Sequence, residues 1–261
     1  MYWTNHAEDR ILRAFLGVDA IAPATVFAGL FLSDPGDAGQ GTEITYAGYV
    51  RQPITFSEPA AETSGGVTSM RIANLQNVAF PVSATAAGTV THFGLMDSLT
   101  GGNMWAYMTL DEPMQVDADV APLIMPQEWT YVFGGDYTLG FMAAALNLLR
   151  GVNLVGFTPF VALLTGDPDA GGAELAGSGY ARFPVTFASP VVQVSGQSMI
   201  QNTAGLSSPR ALDNWGTWAW TAVMSAENGG VAVAGGPRPP YIMGRDKAAL
   251  IRQGELSLSL T

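Results

Sequence analysis

The sequence predicts a mainly β protein made of two tandem antiparallel β-sandwich or barrel-like modules, each preceded by a short N-terminal helix. Three observations carry that expectation. The chain repeats itself in order, each copy opens on a short apolar-faced helical pattern, and the remainder alternates short β-branched or aromatic runs with Gly, Pro and Asp turns. No βαβ alternation is present, which points to antiparallel rather than parallel sheets.

The repeat is visible by eye. Residues 30–59 read LFLSDPGDAGQGTEITYAGYVRQPITFSEP and residues 163–190 read LLTGDPDAGGAELAGSGYARFPVTFASP. Asp34-Pro35 maps to Asp167-Pro168, Gly48-Tyr49-Val50-Arg51 to Gly179-Tyr180-Ala181-Arg182, and Thr55-Phe56 to Thr186-Phe187. Gly88-Thr89 then matches Gly216-Thr217, Met96 matches Met224, and Leu123-Ile124 with Glu128 matches Leu250-Ile251 with Glu255. The offset drifts from 133 (167 − 34) to 127 (250 − 123), as loop deletions would produce, while the order is never broken. The boundary is expected near Gly134-Gly135-Asp136, giving residues 1–134 and 135–261 as the two copies. So short a link predicts that they pack against each other.

Each helix follows from spacing. Ile11, Leu12, Phe15 and Leu16 share one face in the first copy, with Gly17 as the stop; Leu139, Met142, Leu146 and Leu149 share one in the second, with Gly151 as the stop. Asn5, with Glu8 three residues on, is the expected first cap, and Asp136 the second. Strands are expected near 24–32, 49–56, 68–75, 89–96, 103–110 and 128–133, with counterparts such as 158–165. Leu99-Thr100-Gly101-Gly102-Asn103 and Asn228-Gly229-Gly230 read as hairpin turns.

Composition narrows the function. Charged residues are only 13% of the chain, so Thr, Ser, Gly, Asn and Gln must cover much of the surface, which suits packing between subunits. A net charge of −11 with Lys247 as the one lysine repels phosphate backbones and anionic lipids, so neither nucleic acid nor a membrane is an expected partner. Without cysteine there is no disulfide, thiolate metal site or thiol nucleophile. The first residues lack the basic and apolar regions of an export signal, and the apolar stretch 139–164 is broken by Asn147, Arg150, Asn153 and Pro159, so no membrane span is expected.

No catalytic, cofactor-binding or metal-binding residue is assigned. The histidines are His6 and His92; His6 reads as a solvated residue of the first helical turn, and His92 in a strand reads as a hydrogen-bonded sheet or contact residue. No Gly-x-Ser-x-Gly elbow or phosphate loop accompanies them. Asp34, Asp37, Asp167 and Asp169 sit beside Pro and Gly in the repeated turns, where carboxylates accept backbone N–H bonds; a weak Ca²⁺ site is the functional alternative. Trp218 and Trp220 share a strand face if that segment is extended, filling a core or interface or offering rings to a sugar. The Gly235–Tyr241 run, with Pro239, Pro240 and Tyr241, reads as an insertion-like extended loop suited to lying across a neighbour. Tyr49, Arg51, Tyr180 and Arg182 mark equivalent strand entries, each arginine expected to bond a turn carbonyl or an acidic side chain.

The motifs LFLSDPGDAGQGTE, GYVRQPITF and GTVTHFGLMDSLTGGN, over most of residues 5–133, resemble the small tail-fibre-type virion structural proteins of tailed bacteriophages. The second copy keeps Gly179-Tyr180-Ala181-Arg182 but carries Trp220-Thr221-Ala222 in place of His92-Phe93-Gly94. The resemblance implies a non-enzymatic virion component, assembled in the host cytoplasm and acting with other virion proteins as a homo-oligomer in a symmetric assembly. A capsid decoration or head-spike protein and a host-surface glycan or receptor-binding module are the alternatives.

Overall fold

The long hairpin of Gly88–Met96 and Met104–Val116 lies at the centre of a five-stranded antiparallel sheet, with Val26–Phe31 and Gln52–Ile54 on one side and Tyr2–Trp3 on the other. The structure is a computed structural model and describes residues 2–193 and 196–260. A second sheet of Thr130–Phe133, Val67–Ala73 and Ala60–Ser64 covers the first, and Phe93 stacks on Trp129 at 5.3 Å between ring centroids. Val78–Ala79 pairs with Leu123–Ile124.

The same plan recurs in the second half. Phe183–Pro184, Phe160–Leu164, Thr217–Met224 and Ala232–Ile242 form a sheet in the same order. Val191–Val192, Ser198–Gln201 and Ser257–Leu260 form the covering sheet, and Leu206–Ser207 pairs with Leu250–Ile251. Irregularities repeat too. The central hairpin shifts register between Val90 and His92 and between Leu95 and Met96 in the first half, and between Trp218 and Trp220 and between Val223 and Met224 in the second. Among the described residues the sheets stay open, so the sandwich alternative holds and no barrel closes.

Helix α1 (Asn5–Arg13) and helix α2 (Leu139–Leu146) each run into a 3₁₀ turn ended by a left-handed glycine, Gly17 (φ 79°) and Gly151 (φ 81°). The caps differ from expectation. Thr4 and Thr138, not Asn5 and Asp136, hold the extended N-cap positions. Thr138 Oγ1 accepts from the Phe141 N–H and donates to the Ala232 carbonyl, while Thr4 Oγ1 donates to the Met104 carbonyl. Each cap residue is therefore tied to the neighbouring strand, and Asn5 already lies inside the helix.

The helices cross between halves. Helix α1 packs on Ser198–Gln201 of the second half, and α2 packs on the equivalent strand Val67–Ala73 of the first. Reciprocal bonds surround the crossing: the Ala22 N–H donates to Asn153 Oδ1 and the Gly156 N–H to Asp19 Oδ1, both at an offset of 134 (156 − 22 and 153 − 19). Phe15 touches the rings of Tyr137, Phe141, Phe157 and Phe187. One continuous apolar core consequently runs through both halves.

Candidate functional site

Each half carries the same part-buried polar latch. Arg51 Nε and Nη2 donate to Glu43 Oε1 and Oε2 at 2.8 and 2.7 Å, and its Nη1 donates to the carbonyls of Ser98 and Gly101 at 2.8 and 2.6 Å. Arg182 repeats this on Glu174 and on the carbonyls of Ala226 and Gly229. Tyr49 and Tyr180 donate to Glu43 and Glu174 and accept from the N–H of Leu30 and Leu163. Burial raises both phenols above the ordinary tyrosine range. Burial also opposes ionisation of Glu174, but hydrogen bonds from Arg182 and Tyr180 outweigh it and hold that carboxyl below its usual value. A bidentate arginine that also binds two carbonyls fixes the hairpin turn to the sheet, so the arrangement rigidifies rather than reacts.

The repeated Asp turns meet the helices. Asp34 and Asp167 accept from backbone N–H groups two residues on, at Gly36 and Asp169. Asp37 accepts the Tyr107 hydroxyl, and its carbonyl accepts the Asn5 N–H; Asp169 Oδ2 accepts the Leu139 N–H. Among the described residues no group of three or more His, Asp or Glu is arranged to hold a metal ion.

His92 is buried between Thr91 Oγ1 and Thr109 Oγ1 at 2.8 and 3.1 Å, with Asp34 Oδ1 at 3.7 Å. His6 is half-buried: it accepts from Arg10 Nε and meets the Trp105 ring edge-on. Burial, with Arg10 second, lowers its pKa. Trp218 and Trp220 do not share a face. The bulge between them sends Trp218 into the main core and leaves Trp220 on the outer cluster of Ala162, Leu164, Ala222 and Met224. Arg238 lies 3.1 Å over the Trp218 ring, so that ring offers no open face. Trp220 lines a cleft of about 420 Å³ with Asp136, Asp167, Asp169 and Gly235.

The Gly235–Tyr241 run is neither a loop nor an insertion. It lies within the strand Ala232–Ile242, where Pro237 pairs with Trp220 and Tyr241 with Trp218. In the first half Thr109 pairs with His92 and Met114 with Val90. Between those anchors the first half has Leu110-Asp111-Glu112-Pro113 and the second Arg238-Pro239-Pro240, and Asp111, Glu112, Pro239 and Pro240 are all exposed.

The equivalent ends of the two halves have opposite charge. Residues 1–134 carry fourteen acidic and four basic residues (4 − 14 = −10), residues 135–261 eight and seven (7 − 8 = −1). In the first half, Asp119 N–H donates to the Ser83 carbonyl and Ser83 N–H to the Val120 carbonyl, which brings exposed Val82, Asp117 and Asp119 together. In the second half, the same bonds join Asp246 and Lys247 to Ala211, which brings exposed Arg210, Arg245 and Lys247 together with exposed Asp213 and Asp246, three cations against two carboxylates. Lys247 Nζ lies 4.6 Å over the Tyr241 ring, and Leu212, Tyr241 and Ile242 are exposed around it. No sequence signal short of aligning the copies shows this contrast, because Asp246 and Asp119 are the same residue type within otherwise different loops.

None of the curated proteins matches the chain. A family model described as podophage GP4 fiber I protein gp80 matches residues 2–128 and 141–239, in two segments that fall either side of the link between halves. That match covers most of the chain, and the protein belongs to this family of phage fibre proteins.

Proposed function

We propose that the chain is a non-catalytic structural element of a phage fibre, built from a duplicated module with residues 1–134 and 135–261 as its copies, that docks to other virion proteins in a symmetric assembly. The observation that carries this reading is the reciprocal exchange of α1 and α2. It makes one chain a rigid, internally paired block that presents two related but unlike surfaces. A ring of such chains offers two kinds of pseudo-equivalent position, which suits a junction between layers of different symmetry. The Arg51 and Arg182 latches stiffen the hairpins that project from it.

The test is to locate the chain in its native particle by cryo-EM and to screen the purified protein for hydrolysis of host polysaccharides. Density in the fibre with no turnover supports the reading. Saturable turnover abolished by Asp34→Asn, Asp37→Asn, Asp167→Asn or Asp169→Asn, or a chain found in the capsid as a decoration or head spike, overturns it. A second reading, a host glycan held in the cleft beside Trp220, is favoured by an aromatic ring lying among three carboxylates. Glycan-array binding lost in Trp220→Ala tests it.

A further inference from the structure

The acidic end of the first half and the basic end of the second occupy the same place in the repeated plan, yet their charges are complementary. Asp117 and Asp119 are exposed on one, and Arg210, Arg245 and Lys247 on the other, where exposed Asp213 and Asp246 leave three cations against two carboxylates. We propose that these ends are the two sides of a head-to-tail contact between copies of this chain. This rests on the assembly reading above and deepens it by naming one partner as a second copy.

Three features favour a second copy. Each chain carries one end of each kind, so a single contact repeated from chain to chain satisfies both and closes into a ring, or continues as a fibre, according to its rotation. Surface ion pairs are individually weak, but apolar groups stand beside the charges on both sides: Leu212, Tyr241 and Ile242 around Lys247, and Val82 beside Asp119. Tyr241 is held on the strand Ala232–Ile242 and so loses little freedom on docking, and tyrosine and arginine are enriched among the residues that dominate the energy of typical contacts. Unlike charges on the two ends also set polarity. An acidic end repels another acidic end and a basic end another basic end, so a contact between like ends is disfavoured.

The one lysine makes the test specific. A one-to-one mixture of isotopically heavy and light full-length chain is treated with a zero-length carbodiimide, which joins amines to carboxylates in contact, and interchain peptides are identified by mass spectrometry. The expected product joins Lys247 of one chain to Asp117 or Asp119 of another. It should fade at high salt and disappear in Lys247→Arg, which keeps the charge but removes the amine. Sedimentation of Asp117→Asn/Asp119→Asn should show weakened self-association; asparagine retains the left-handed backbone at position 119 (φ 62°). A chain that stays monomeric at its highest soluble concentration, or interchain links from Lys247 only to other carboxylates, overturns the contact. If either result comes with density for the chain in the fibre, this contact alone fails and the assembly reading stands. Absence from the fibre removes the assembly reading itself.

Discussion

Ala20 and Leu154 exchange both of their backbone hydrogen bonds, at 2.8 and 3.0 Å, and each is the copy of the other at an offset of 134 (154 − 20). A residue paired with its own duplicate marks a local two-fold axis. Around it, the Asp19 and Asn153 side chains, the 3₁₀ turns and the two helices are exchanged in matched pairs. The two halves thus pair as in an intramolecular dimer rather than as two beads on a tether.

That relationship predicts matched losses. Asp19→Ala and Asn153→Ala each remove the acceptor for one backbone N–H, and each should cost about 1 kcal/mol by urea unfolding. Because one core spans both halves, a single transition is expected in each variant. Two separated transitions would show halves that unfold independently.

Glu8 breaks the symmetry. It is buried in α1, accepts the Ser198 N–H of the other half at 3.0 Å, and has Asp37 and Tyr131 of its own half and Tyr137 of the other as ionisable neighbours; Met142 and Met70 hold the equivalent positions. Burial pushes its carboxyl up to about 7. A folded-state value above the unfolded one means the contribution is full below the ordinary carboxylate value and is lost as pH rises through about 7. The thermal midpoint should fall between mildly acidic and slightly alkaline pH, and Glu8→Gln should flatten that fall. An unchanged slope in the variant would assign the dependence to another group.

The latch predicts a cost that lysine does not rescue. Arg51→Ala leaves the Glu43 carboxylate with only the Tyr49 hydroxyl and two turn carbonyls without the guanidinium, at about 3 kcal/mol of stability; Arg51→Lys should recover only part, because an ammonium cannot make the bidentate pair. Arg182→Ala should behave alike in the second half. An unchanged thermal midpoint in both alanine variants would assign the arginines to surface contacts.

Comparison of the copies also identifies strain. Gln127 adopts φ 65° and donates to the Asn74 carbonyl, whereas in the second half Gly254, φ 74°, donates to the Asn202 carbonyl. Gln127→Gly should therefore stabilise the protein by about 1 kcal/mol and Gly254→Gln should destabilise it by a similar amount. Opposite signs in chemical denaturation check the pair together.

Much of this was legible in the residues. Collinear matches gave the repeat and its strand candidates but not their order in the sheets, and Gly17, Gly151 and the Gly-Gly turns stand where expected, because left-handed backbone has few residue choices. Glu43 and Glu174 were within reach, since each precedes its latch arginine by eight residues, as were the caps, which repeat an aromatic-Thr pair at Trp3-Thr4 and Tyr137-Thr138. The Trp218–Trp220 face was misassigned because a bulge reverses alternation without leaving a signature in composition. The exchange of helices was not legible: periodicity shows which face of α1 is apolar, but not which sheet it meets.

Cryo-EM of the native particle tests the account most directly. It should show the chain within the fibre, with a local two-fold at the Ala20–Leu154 pair and α1 seated on residues 198–201 of its own chain. A chain absent from the fibre, or α1 packed on residues 67–73 of its own half, would contradict it.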